Sequence, residues 1–365
     1  MNLSITYFLQ KQSLPYEAKI PRAERKAKEF YDTITGPDYY ANCHISVGGL
    51  DSITLLVFLR SIGINIPAVS VTSLEDKSIR RVHKTLGVIP LKPLKGKSEV
   101  IKEFGFPVIS KAKATKIEYL QTPNAPKQTF IHAIMTGQMG EQGNFQKSEK
   151  IKLPDKWIKL FGGLYADKRP DLNCKVAPFK VSAKCCDYLK TIPCDTWAKE
   201  NNSYPYLGLM ASEGGQREWG LIKNGCNYYG KSTIRSCPFA YFTRQDLLRL
   251  ALELDVPVPE IYGKIETKPD GTLHTTRAQR TGCSMCGFGI HIEKRPHRFD
   301  RLREDNPKEW AYWMYEIGWG RVLDWIGVEW EGHPYAAREQ MTLGESMQAD
   351  GSASKEGGDN LADKD

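Results

Sequence analysis

Cys43-His-Ile-Ser-Val47 reads as a short buried strand that runs straight into Gly48-Gly49. From Ser52 to Arg60 the chain is again almost continuously apolar, and Gly63 offers a helix stop. A strand, a tight glycine turn and a helix in immediate succession form the opening unit of a parallel α/β layer. The same alternation follows downstream, with a second strand expected over Ile66–Thr72, a helix over Ser78–Leu86 and a third extended piece over Val88–Leu91. Strands alternating with helices predict a twisted parallel sheet with helices on both faces, joined by right-handed crossovers.

The remainder divides by pattern. Residues 1–40 form a helical preface, amphipathic from Ala18 to Tyr31, and 41–260 form the α/β domain. Residues 261–338 form a C-terminal helical elaboration containing a Cys-x-x-Cys, and 339–365 an acidic disordered tail. Within the α/β domain, Gly105–Lys180 is rich in proline, lysine and glutamine and predicts insertions and mobile loops. Tyr206–Ala211 predicts another buried strand. Thr243-Arg-Gln-Asp246 is a capping-box start to a helix ending near Leu254.

The chain carries a net charge of +8; the tail from Glu339 contributes −5, leaving +13 on the body. A basic body suits an anionic ligand such as a nucleotide or a nucleic acid. No apolar run is long enough to span a bilayer, and Met1–Gln10 lacks the features of a secretory signal. The expectation is a cytoplasmic protein with no membrane partner, in which nine cysteines are reduced thiols or ligands.

Glycines between a strand and a helix let backbone N–H groups approach a phosphate, and the helix N-terminus adds a favourable partial charge. Ser46, Gly48, Gly49, Asp51 and Ser52 are therefore candidate phosphate-binding residues. The two hydroxyls can donate to phosphate oxygens. Asp51 suits Mg²⁺ or a helix cap better than direct contact with an anion. The spacing is neither that of a Walker loop nor that of the dinucleotide fingerprint.

Far from this loop lie two close cysteine pairs, the adjacent Cys185-Cys186 and the Cys283-x-x-Cys286. Two close pairs separated by a long stretch of chain are the pattern of a four-thiolate centre, either iron–sulfur or zinc; without a metal the four thiols are small core residues or redox-active groups. Lys184, Arg277 and Arg280 would favour a centre of negative charge. Cys226 and Cys237 are reserve ligands; with Cys43, Cys174 and Cys194 they otherwise read as packing thiols.

Ser46-x-Gly-Gly-x-Asp-Ser52 resembles the PP-loop of the adenine nucleotide α-hydrolase superfamily. Further segments resemble its phosphoadenosine phosphosulfate (PAPS) reductase branch: Gly105-Phe-Pro-Val-Ile-Ser-Lys111, Lys184-Cys-Cys186, Ala211-Ser-Glu-Gly-Gly-Gln-Arg217, Cys237–Asp246 and Arg280-Thr-Gly-Cys-Ser-Met-Cys286. The resemblance runs in order from about residue 40 to 330 and implies an adenine nucleotide α-hydrolase-like fold. It implies an adenine nucleotide (PAPS, adenylylsulfate or ATP) held with the help of Glu213, and a [4Fe–4S] cluster on Cys185, Cys186, Cys283 and Cys286, with zinc as the alternative. Val47 and Leu50 depart from the usual glycine and lysine of the loop. Lys111 or Arg217 would then supply the missing charge and, with Asp51, act on the reacting group.

Three functions follow. The first is an enzyme of the PAPS reductase family acting at the phosphate or sulfo end of its nucleotide. The second is an ATP pyrophosphatase that adenylylates an acceptor, including nucleic acid, for sulfur transfer from a protein donor, as in nucleic-acid thiolation or DNA phosphorothioation. No cysteine follows Cys286 to serve as the sulfonucleotide nucleophile, which favours this one. The third is a non-catalytic nucleotide- and metal-binding protein. For that class Trp310, Trp313, Tyr315, Trp319, Trp325 and Trp330 are either a docking surface or packed core. His44 reads as a packed histidine; His132, His291 and His297 carry no assigned role.

Overall fold

The computed structural model describes residues 3–138 and 151–330. The acidic tail expected over 339–365 lies outside the described residues. The chain gathers into two compact units, each built from two stretches: Met1–Lys97 with Cys186–Ser284, and Ser98–Cys185 with Met285–Asp365.

The first unit is mixed α/β around a six-stranded, mainly parallel sheet. Its order is Ile89–Pro90, Ala68–Ser70, Asn42–Ser46, Ser203–Tyr206, Ile234–Ser236, Asn227–Tyr229. The first five strands are parallel and the last is antiparallel to its neighbour. Asn42–Ser46 is buried on three successive residues, Cys43, His44 and Ile45, as befits a strand covered on both sides. It pairs with Ala68–Ser70 on one side and Ser203–Tyr206 on the other. The chain leaves the first strand toward one edge of the sheet and leaves Ser203–Tyr206 toward the other. The two strands therefore flank a topological switch point, and the loops at their carboxyl ends bound the crevice where open α/β sheets take ligands.

Helix Tyr16–Thr35 extends further than the expected Ala18–Tyr31 and packs Phe30 edge-on to Tyr206 at 5.0 Å. The Tyr206 hydroxyl donates to the Ala27 carbonyl at 2.7 Å. Helix Arg244–Glu253 begins with the expected capping box. The Thr243 N–H donates to Asp246 at 2.7 Å, and the Thr243 hydroxyl accepts from the Asp246 N–H. Asp246 also receives the buried Lys19 ammonium at 2.7 Å.

The strand expected over Tyr206–Ala211 ends where it was to begin. Pairing covers Ser203–Tyr206, and Ala211–Glu213 is a 3₁₀ turn. Gly208 explains the break: a Cβ there would lie 2.9 Å from Ser52 Cα and 3.0 Å from the Asp51 carbonyl carbon. The chain past Tyr206 is crossing the start of helix Leu50–Ser61 rather than continuing a ladder.

The second unit corrects the reading of Gly105–Lys180 as insertions and loops. Helices Lys111–Leu120, Gln128–Thr136 and Asp155–Phe161 lie within it, and their apolar residues form one core with Trp310, Trp313, Trp319 and Trp330. Segment 98–185, run into the nucleotide domain on pattern alone, thus shares a core with 285–330. Its apolar residues are spaced among lysines, and their partners lie well over 100 residues away, about as far as local pattern can fail to reach. The tryptophans are packed core and not a docking surface; Tyr315 and Trp325 pack against the same cluster. A two-stranded parallel ladder, Val108–Ile109 with Gly287–Phe288, joins the two stretches of this unit. Among the described residues no helix is long and apolar enough to cross a membrane.

Candidate functional site

The loop from Ser46 to Ser52 leaves the carboxyl end of the first strand at the switch point. Gly49 is the N-cap of helix Leu50–Ser61 and no side chain caps it, so Asp51 is not a cap. The Gly48 N–H donates to Ser52 Oγ at 2.8 Å, and that hydroxyl donates to the Gly49 carbonyl at 3.0 Å. Ser52 thus closes the loop on itself. The Leu50 N–H donates to the Tyr262 hydroxyl at 3.1 Å, which also pairs with Thr281 Oγ1 at 2.6 Å. A Cβ on Gly49 would sit 2.2 Å from that tyrosine oxygen. Glycine at 49 is therefore required by a neighbouring side chain as well as suited to a phosphate. From the other side His83 Nε2 lies 2.8 Å from the Gly48 carbonyl oxygen, and burial holds the His83 pKa below its ordinary value.

Two carboxylates and three guanidinium groups of the first unit gather beside this loop. Asp51 ion-pairs with Arg244, whose second nitrogen donates to the Gln279 carbonyl at 3.1 Å. Burial raises the Asp51 pKa, Arg244 works against that, and the nearby Glu213 carboxylate adds to it. Glu213 is itself almost fully buried, with Arg217 at 2.5 Å and Arg280 at 3.7 Å. Arg217 and Arg280 are more than half exposed, so their guanidinium groups border solvent while the carboxylate they share does not.

The structure thus brings Asp51, Glu213 and Arg217 together with Ser46, Gly48, Gly49 and Ser52 in the first unit. Lys111 belongs to the second unit, at the start of helix Lys111–Leu120, where Ser110 accepts from the Lys113 N–H at 3.3 Å.

The cysteine pairs are divided between the units, Cys186 and Cys283 in the first, Cys185 and Cys286 in the second. In the first unit the Lys190 ammonium is shared between the buried Glu75 carboxylate, at 2.6 Å, and the Cys283 sulfur. Burial acts to lower the Lys190 pKa, but Glu75 and Cys283 outweigh it and hold the amine protonated. In the second unit Cys185 is buried, Lys184 pairs with Glu118 at 3.1 Å, and the Cys286 carbonyl accepts from Arg298 at 3.1 Å. Among the described residues no three His, Cys, Asp or Glu side chains gather as a metal site.

The reserve ligands are packing residues. Cys226 and Cys237 lie in an apolar cluster with Phe8, Ala211 and Leu221, and burial pushes their thiols up to about 11 and about 12. His44 is the packed histidine expected, bonded to Ser203 Oγ at 2.8 Å, with burial bringing its pKa down to about 4. His297 caps helix Arg298–Asp305.

Sequence reasoning missed His83, Glu75, Lys190, Tyr262 and Thr281, which reach the loop or Cys283 from distant segments. Arg244 stood inside the recognised helix start, but nothing there signals that its side chain turns toward Asp51.

No family model matches the chain, and no curated protein does. Among solved structures the chain is similar to the U34-tRNA thiolase NcsA from Methanococcus maripaludis with its [4Fe–4S] cluster. The two are 13% identical, over 87% of this chain and 82% of that one, with a TM-score of 0.28. A likeness of that size carries no argument about the chemistry of this chain.

Proposed function

We propose that the first unit binds the polyphosphate of Mg²⁺–ATP at Ser46–Ser52 and that the protein transfers the adenylyl group to an acceptor, releasing pyrophosphate, as the activating step of a sulfur transfer. The observation that carries this reading is the meeting of two loops at the switch point. The glycine loop presents backbone N–H groups at a helix start, and the Ala211–Glu213 turn brings Glu213 near Asp51, with Arg217 of the following helix Gly215–Asn224 paired to Glu213. Mg²⁺ on a nucleotide is commonly held by one or two carboxylates together with phosphate oxygens, and Asp51 and Glu213, ion-paired with Arg244 and Arg217 in this structure, would be that pair. Arg217 and Arg280, at the exposed rim, suit the departing pyrophosphate, whose charge grows as the P–O bond breaks.

The fold this implies is that of the adenine nucleotide α-hydrolases, with the second unit as the elaboration. Cys185, Cys186, Cys283 and Cys286 would hold a [4Fe–4S] cluster. Four thiolates are a fitting donor set, and the Lys190 ammonium on Cys283 favours the deprotonated sulfur a cluster needs. Such a cluster would supply sulfur or redox chemistry when bound. The basic body suits a nucleic-acid acceptor.

The test is product analysis after anaerobic incubation of the full chain with Mg²⁺–ATP or with PAPS, with total tRNA or DNA as acceptor. Pyrophosphate from ATP, with the adenylyl group carried onto the acceptor, is expected, and both are expected to fall at least tenfold in Asp51→Asn. Sulfite from PAPS, with no pyrophosphate from ATP, would replace the proposal with sulfonucleotide reduction.

A further inference from the structure

We infer that His83 is a positioning residue of the phosphate loop, which fixes the Gly48–Gly49 peptide so that the Gly49 N–H is presented to the polyphosphate. This deepens the function proposed above and rests on it.

His83 lies on helix Lys77–Thr85, whose start is capped by Asp76, and it is almost fully buried. Its Nε2 is 2.8 Å from the Gly48 carbonyl oxygen. A carbonyl only accepts, so Nε2 carries the hydrogen. In the neutral ring that burial favours, Nδ1 is then a bare lone pair. Nδ1 is buried and has no hydrogen-bond partner among the described residues. An imidazole buried with one nitrogen unpaired is a poor packing residue, and a leucine or phenylalanine would fill the space without that penalty. The Nε2 contact is what the imidazole provides.

The peptide plane carries that contact to the ligand side. A trans peptide points its C=O and the following N–H in opposite directions, so a carbonyl held toward His83 aims the Gly49 N–H away from it. The neighbouring peptide is fixed in another way. The Gly49 carbonyl accepts from Ser52 Oγ and from the Ile53 N–H, and the Leu50 N–H of the same peptide donates to the Tyr262 hydroxyl. Between two glycines the 48–49 peptide has no side chain to oppose rotation. Rotated, it would turn an oxygen toward the phosphate in place of a hydrogen. His83 would therefore act on affinity without touching the nucleotide.

The experiment measures binding of inorganic pyrophosphate and of Mg²⁺–ATP by calorimetry to the full chain and to His83→Leu, His83→Gln and His83→Asn, with thermal melting of each. A glutamine amide can reach the place of Nε2, and the shorter asparagine cannot. The expected result is that Leu and Asn weaken pyrophosphate about tenfold, a difference of about 1.4 kcal/mol, while Gln stays within about threefold, as rescue of a single donated hydrogen bond requires. If the leucine variant does not fold, the Gln and Asn pair carries the comparison. Equal affinity across the variants, or equal loss in Gln and Asn, would overturn the role of His83 and leave the nucleotide site standing. Failure of the unaltered chain to bind either probe would overturn the nucleotide site and this inference with it.

Discussion

Substituting Gly49 by alanine tests whether Tyr262 is a fixed wall of the Ser46–Ser52 loop. The backbone at Gly49, φ −85° and ψ −164°, is open to any residue, so the penalty is one of contact. The new Cβ would meet Tyr262 Oη at 2.2 Å, Thr281 Oγ1 at 3.0 Å and Tyr262 Cζ at 3.5 Å. The overlap with the hydroxyl is about 1 Å against ordinary carbon–oxygen contact. Tyr262 is buried, and its oxygen is held by Leu50 and Thr281, so relief breaks both bonds. Overpacking of this kind costs about 1–3 kcal/mol, and each broken bond adds about 1 kcal/mol. Gly49→Ala should therefore destabilise the first unit by about 3–5 kcal/mol. Tyr262→Phe alone should cost about 1–2 kcal/mol, because it leaves the Leu50 N–H unpaired. In the phenylalanine background the same alanine faces only the Thr281 hydroxyl, which can rotate, and should cost less than about 1 kcal/mol. The double-mutant cycle should thus show a coupling of about 2–5 kcal/mol. It is read as urea midpoints, or as melting shifts of about 2–4 °C per kcal/mol for a unit of this size. Strict additivity would refute the steric argument.

Other perturbations have equally direct outcomes. The His44 pKa is lowered from 6.5 to about 4 by burial, so below pH 6.5 the unfolded chain takes a proton that the folded chain refuses. Stability should therefore fall as pH drops from 6.5 toward 4, by about 3 kcal/mol at ~1.4 kcal/mol per unit, and His44→Asn should flatten that slope in pH-dependent urea titrations. Asp246→Ala strands the buried Lys19 ammonium and should cost about 3–5 kcal/mol; Lys19→Met in the same chain should recover most of it in melting experiments. Anaerobically purified protein should contain about four irons and four sulfides per chain, with content lost in each of the Cys185, Cys186, Cys283 and Cys286 serine variants. One zinc without sulfide would make the centre structural.

Much of the first unit was legible because its signals are local. The run Cys43–Val47, the glycine pair and the apolar helix after it each declare themselves within a few residues, and the strand order then places the loop at the switch point. The Thr243–Asp246 box was legible for the same reason. What could not be read was set by partners far along the chain. The core of 101–183 exists only against Trp310, Trp313 and Trp319, so the segment looked loose when read alone. Tyr206–Ala211 is apolar enough for a strand, but the crossing of Gly208 over Ser52 ends it. At the site, Asp51 invited a cap or a metal ligand, and its pairing with Arg244 depends on a helix nearly two hundred residues on.

The measurement that bears most directly on the proposed function is binding of ATP and of PAPS to the full chain with and without Mg²⁺. The account predicts that ATP binds, that binding weakens at least tenfold when Mg²⁺ is withheld, and that Asp51→Asn removes the Mg²⁺ dependence. Binding of PAPS in preference to ATP, indifferent to Mg²⁺ and to Asp51, would contradict it.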